Sequence, residues 1–115
     1  MNETSILQEI RIGLSSTPDV RIFRNQTGAL KDTEGRLVTF GLCKGSSDLI
    51  GWKSIVITPE MIGQRVAVFL AVEVKRPKKN PTPEQTNFLE RVAAAGGIAG
   101  VARSVEDART ITNQP

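Results

Sequence analysis

An uninterrupted apolar run, Val66-Ala67-Val68-Phe69-Leu70-Ala71-Val72, ends abruptly in Glu73-Val74-Lys75. The run is far shorter than the ~20 residues that a membrane-spanning helix needs. Its length and content predict a strand through the interior, closed by an acid and a base. Side chains at i and i+2 of a strand share a face, so Glu73 and Lys75 are expected to project together while Val74 points back into the core. A second short strand is predicted over Asp48-Leu49-Ile50-Gly51-Trp52, entered from the Gly/Ser loop Lys44-Gly45-Ser46-Ser47. If the two strands lie side by side, two carboxylates and an ammonium share one site.

Charged residues at strand ends are usually solvated, and an aspartate followed by Glu-x-Lys is by itself a weak signal. What strengthens it is the setting, with a glycine-rich turn ahead of Asp48 and the most hydrophobic run of the chain ahead of Glu73. Hard divalent cations such as Mg2+ take oxygen ligands. A lysine beside them can orient an attacking water or stabilise developing negative charge. The pattern points to metal-assisted phosphodiester chemistry. The chain has no histidine, which excludes His-ligated zinc, Ser-His-Asp or Cys-His hydrolysis and any histidine base. A single cysteine, Cys43, leaves no internal disulfide and fits a reducing cytoplasm. The formal net charge of +3 is compatible with an anionic partner. Met1-Asn2-Glu3-Thr4-Ser5 is polar and acidic, unlike a signal peptide. At 115 residues the chain is expected to form one domain, 1–115, around one core.

Along the chain, Ser5 and Gln8 form a candidate capping box for a first helix with Ile6, Leu7, Ile10 and Leu14 as its buried stripe. Val20–Arg24 alternates as a strand, and Asn25-Gln26-Thr27-Gly28 is turn chemistry. Residues 29–46 read as a long ligand-facing loop with a short strand near Leu37–Phe40. Ser54–Ile57 suggests a further strand, and Thr58–Met61 a single helical turn. Pro77–Pro81 is a rigid basic linker, after which Thr82-Pro83-Glu84-Gln85 starts a helix that Gly96-Gly97 stops. A strand over Ile98–Ala102 and a closing helix capped by Ser104 complete an order that predicts a mixed sheet with helices packed on its faces. Gln85 is polar within the apolar stripe of Phe88, Leu89, Val92 and Ala93, although capping alone would explain it.

These segments together resemble the VRR-Nuc family of the PD-(D/E)XK nuclease superfamily, in its small stand-alone form encoded by viruses and bacteria. The resemblance rests on Arg24-Asn25-Gln26-Thr27-Gly28, Gly45-Ser46-Ser47-Asp48-Leu49-Ile50-Gly51, Glu73-Val74-Lys75, Gln85 with Phe88-Leu89, and Val101-Ala102-Arg103-Ser104. It implies an α/β fold with a restriction-endonuclease-like αβββαβ core, a mixed central sheet flanked by helices. It implies that Asp48, Glu73 and the Val74 carbonyl bind Mg2+ or Mn2+, that Lys75 is the catalytic lysine, and that Gln85 is a site glutamine. A glutamate on the first helix completes the set; Glu3 shares the face of Ile10 and Leu14, whereas Glu9 lies at its flank. Ser47 stands where the superfamily name has proline.

The implied activity is a divalent-metal-dependent DNA endonuclease acting on branched DNA, a four-way junction or a flap, as a homodimer in a bacterial or virus-infected cytoplasm. Arg24, Asn25, Lys44, Arg76, Lys78 and Lys79 are the expected DNA contacts, with Arg21 and Lys53. Arg103 contacts phosphate or is a surface residue ahead of a helix cap. Two alternatives stand beside this reading: a noncatalytic DNA-binding accessory that keeps the fold, and a less structure-selective nicking or restriction-like nuclease.

Overall fold

The computed structural model describes residues 2–113. The element order is α1 (Glu3–Ser15), β1 (Val20–Arg24), β2 (Gly28–Lys31), β3 (Leu37–Phe40), β4 (Leu49–Lys53), a 3-10 turn at Pro59–Met61, β5 (Leu70–Val74), α2 (Pro83–Ala94), β6 (Ile98–Ala102) and α3 (Val105–Thr112). The mixed α/β class expected from the sequence is therefore present. Its strands are hydrogen-bonded as three two-stranded sheets, and the chain forms two compact units, 1–55 and 56–115.

In the first unit, β1 pairs antiparallel with β4, from Val20 opposite Lys53 to Arg24 opposite Leu49. The hydrogen-bonded neighbour of the Asp48 strand is thus β1. Gly51 faces Ile22 in this register, and a Cβ on Gly51 would run into the backbone carbonyl of Arg21, so the close approach of β1 and β4 at this rung depends on glycine. Phe23 and Trp52, diagonal across the pair, bring their rings to 5.6 Å between centroids. Helix α1 packs against β1. Its N-cap is Asn2, whose Oδ1 accepts from the Ser5 N–H at 2.8 Å; Asn2 competes with Ser5 for the cap and starts the helix one turn earlier than expected. Leu7 and Leu14 are half-buried, but Ile6 and Ile10 of the expected buried stripe remain exposed.

Within residues 29–46, read as a long loop with a short strand, the expected strand at Leu37–Phe40 is β3, and it forms a hairpin with a strand not expected, β2, with Gly28 opposite Phe40 and Lys31 opposite Leu37. The ring of Phe40 occupies the space that a Cβ on Gly28 would take, so an aromatic side chain covers the glycine. Asp32 builds the turn: its Oδ1 accepts from the backbone N–H of Glu34 (2.9 Å) and of Arg36 (2.8 Å), and its Oδ2 meets Arg36 Nε at 2.9 Å. The Arg36 N–H, followed by the Arg36 guanidinium and the Glu34 N–H, outweighs desolvation and holds the Asp32 carboxyl below its ordinary value. A depressed folded-state pKa contributes stability at neutral pH that is lost as pH falls through the carboxylate range. Protection of the hairpin amides, taken relative to their intrinsic exchange at each pH, should therefore fall on acidification through the carboxylate range in the parent, and this acid-dependent step should be absent in Asp32→Asn.

In the second unit, β5 and β6 pair in parallel, from Leu70 opposite Ile98 to Val74 opposite Ala102, and the Lys75 N–H adds a rung by donating to the Ala102 carbonyl at 3.1 Å. The strand expected from Val66 starts only at Leu70, because the partner chain upstream of Ile98 is the Gly96-Gly97 stop of α2, with Gly96 at a φ of 100°. Ser54–Ile57 is not a strand for a similar reason. β1 begins at Val20, and the last bond of that pair is Ser54 N–H to the Asp19 carbonyl, at 2.8 Å.

Helix α2 packs on β5 and β6, and α3 on β6. The buried centre of this unit is Val92, Ala102 and Ile111. Ile111 sits over Gly100 so closely that a Cβ there would lie 2.7 Å from its Cδ1. The cap of α2 is a complete box: Gln85 N–H donates to Thr82 Oγ1 at 3.1 Å, and Thr82 N–H donates to Gln85 Oε1 at 2.9 Å.

Candidate active site

The candidate site residues divide between the units. Asp48 in the first unit ends a loop built to hold it. The Ser46 N–H donates to the Cys43 carbonyl at 3.0 Å, closing a turn with Gly45 at a φ of 85° and Lys44 at its tip. Asn25, just past the end of β1, then binds this loop at several points. Its Nδ2 donates to Ser46 Oγ (2.8 Å) and to the Ser47 carbonyl (2.9 Å), and its Oδ1 accepts from the Leu42 N–H (2.9 Å). Its backbone N–H donates to the Asp48 carbonyl at 2.8 Å. Expected as a DNA contact, Asn25 has both amide hydrogens committed to the loop that carries Asp48. Its sequence signal is an asparagine at a strand end, and nothing local names partners more than twenty positions away.

The Asp48 side chain is exposed and lines a cleft of about 200 Å³ with Glu3, Ile6, Leu7, Ile10 and Leu49. Glu3 enters it from the first turn of α1, where the helix dipole favours an acid. Of the two helix glutamates considered from the sequence, Glu3 lines this cleft with Asp48, and Glu9 is exposed elsewhere on α1. Among the described residues, no group of three or more His, Cys, Asp or Glu side chains is gathered closely enough to hold a metal ion.

In the second unit, Ala71, Glu73 and Lys75 share one face of β5 and are all half-buried. Val74, on the opposite face, is 74% exposed. The expectation that Val74 points into the core is corrected: the run is apolar at both parities, so its period shows which residues share a face but not which face is covered. Glu73 lines a cleft of about 330 Å³ with Phe69 to Val72 of the same segment and Phe88 and Leu89 of α2. Gln85, one turn before Leu89 on the same helical face, is half-buried, and the cap engages its Oε1.

Beyond Lys75 the chain turns at Arg76-Pro77-Lys78-Lys79, with the Lys79 N–H donating to the Arg76 carbonyl at 3.1 Å. All three of these cations are exposed, as are Arg21, Arg24, Lys44 and Lys53 in the first unit. Arg103 is exposed directly ahead of the Ser104 cap, and its Nη2 donates to the Lys79 carbonyl at 2.7 Å.

The family model of the VRR-NUC domain matches residues 34–106, more than half of the chain, and runs across the boundary between the two units to include Asp48, Glu73, Lys75 and Gln85. The chain belongs to the VRR-NUC family. No curated protein and no solved structure matches it. Membership makes the protein a nuclease domain with DNA as its substrate, in agreement with the resemblance read from its motifs. No helix among the described residues is long and apolar enough to cross a membrane.

Proposed function

We propose that this VRR-NUC protein is a divalent-metal-dependent DNA endonuclease of the PD-(D/E)XK type that cuts branched DNA. The observation carrying the reading is the pairing of Glu73 with Lys75 on one half-covered face at the end of β5, inside the matched segment. Asp48, Glu73 and the Val74 carbonyl are the proposed ligands of Mg2+ or Mn2+, with Glu3 joining from the cleft that it lines with Asp48. These are hard oxygen donors, the chemistry such cations select. When bound, the cation lowers the pKa of water and offsets phosphate charge. The Lys75 ammonium orients the attacking water or stabilises negative charge developing on the phosphate oxygens, and Gln85 supports the same site. Two units that share one family match act, in this reading, as a single nuclease domain.

Arg24, Lys44, Arg76, Lys78 and Lys79 supply phosphate contacts, and Asn25 serves them indirectly through the loop bearing Lys44 and Asp48. A symmetric junction needs two incisions and one chain offers one site, so the active species proposed is a homodimer. A noncatalytic binder is the weaker alternative, because carboxylates beside a phosphate path repel what such a protein would hold. A less selective nicking or restriction-like enzyme differs only in substrate preference.

One experiment separates these readings. Labelled four-way, flap, single-stranded and duplex DNA are incubated with the protein, with and without Mg2+ or Mn2+, while light scattering measures its mass. Metal-dependent cleavage favouring the branched substrates, by a species of twice the chain mass, is the expected result. Binding without cleavage under every metal condition would leave the accessory reading standing. Equal cutting of duplex and junction would leave the nicking one.

A further inference from the structure

The turn after Lys75 is held in a conformation that its own sequence disfavours. Pro77 occupies the second position of Arg76-Pro77-Lys78-Lys79, and Lys78 at the third has a φ of 67°. This is the type II pattern, whose third position suits glycine because a Cβ there crowds the backbone. Lysine has neither glycine's freedom nor the short hydrogen-bonding side chain of asparagine.

The restraint comes from β6 and the residue after it. At one end of the segment the Lys75 N–H donates to the Ala102 carbonyl at 3.1 Å; at the other, the next residue along, Arg103, donates its Nη2 to the Lys79 carbonyl at 2.7 Å. Arg103 is itself anchored. Its backbone N–H donates to Asp107 Oδ2 at 2.8 Å, and the Asp107 N–H donates to the Ser104 cap at 3.0 Å. Consecutive residues of one strand end thus tie down both ends of the basic segment.

We propose that Arg103 is a positioning residue that works through the Lys79 carbonyl. It keeps the left-handed Lys78 turn closed, so that the cations following Lys75 meet the DNA backbone in one arrangement. The inference rests on the reading of Arg76, Lys78 and Lys79 as phosphate contacts. Strain of this kind persists only where surrounding structure over-determines it, and a guanidinium on a carbonyl is a strong, charge-assisted restraint.

The test is a double-mutant cycle of Arg103→Met and Lys78→Gly in the full chain, read first without DNA as exchange of the Lys79 amide and then as affinity for a fluorescent duplex across salt concentrations. Arg103→Met should speed Lys79 exchange, and Lys78→Gly should restore protection, since glycine adopts this φ freely. Arg103→Met should weaken binding about tenfold with Lys78 present and less than about twofold in the Lys78→Gly background, the non-additivity of residues acting on one element. Its salt slope should stay close to the parent's, whereas loss of a phosphate contact lowers the slope by about one.

Additive effects in the cycle, unchanged Lys79 exchange or a reduced slope would overturn the proposal. Where Arg103→Met folds poorly, Arg103→Lys gives the same comparison in a milder background. Lys78→Ala/Lys79→Ala is the separate control: parental binding by that variant at all salt concentrations would defeat the phosphate reading, while exchange of the Lys79 amide still reports on the clamp itself.

Discussion

Glu73→Ala is expected to lose cleavage by at least about a hundredfold, the scale on which removal of one group stabilising transition-state charge is felt. The residue stands near the end of β5 and is half-buried, so its side chain serves neither the ladder nor the buried centre of Val92, Ala102 and Ile111. The fold and the affinity for DNA should therefore survive. Glu73→Gln keeps the shape and loses only the charge, and should be as inactive, which distinguishes a ligand role from packing. Lys75→Ala in the same assay should lose rate while the metal concentration for half-maximal cleavage stays near the parent's, because an ammonium is not a ligand. Turnover by Glu73→Ala close to the parent's at saturating Mg2+ and Mn2+ would sink the proposed chemistry.

The largest loss of stability is expected from Gly51→Ala. The added methyl has no space, since it would overlap the Arg21 carbonyl across the β1–β4 pair, and the obstacle is backbone rather than a side chain able to swing away. Overpacking typically costs about 1–3 kcal/mol, and a clash with backbone belongs at or above the top of that range. For a domain of this size a loss of about 3 kcal/mol lowers the melting temperature by roughly 10 °C or more. Gly45→Ala is the informative control: Gly45 has a φ of 85° but nothing within 4 Å of the methyl that alanine would add, so only the left-handed conformation is penalised, about 1–2 kcal/mol. Thermal melts that rank Gly45→Ala as the more damaging would show that β1 and β4 can separate at this rung without cost.

Local chemistry is readable from the sequence because its partners are three or four residues apart. The Thr82–Gln85 box, the Ser104 cap and the Gly96 stop stand where short-range rules put them, and β1 and β6 begin and end as expected. The first helix starts one turn ahead of its expected position because two good caps, Asn2 and Ser5, lie three residues apart and the rule does not rank them. Of the β2–β3 hairpin, β3 at Leu37–Phe40 is legible from its apolar and β-branched residues, whereas β2 is not, since Gly28–Lys31 is short and exposed throughout and no alternation of buried and polar residues marks it.

By itself, the sequence determined which side chains can act together: the strand period places Glu73 beside Lys75 whatever the rest of the chain does, and the order of motifs places the chain in its family. Only the tertiary structure decided where strands stop, which face of β5 is covered and which distant groups Asn25 and Arg103 bind. A strand ends where its partner ends, as β5 does at the Gly96-Gly97 stop before β6. A face is inside only if another element covers it, which leaves Val74 out and Glu73 half in. Asn25 and Arg103 find their acceptors 21 to 24 positions away, across connections whose closure no local preference dictates.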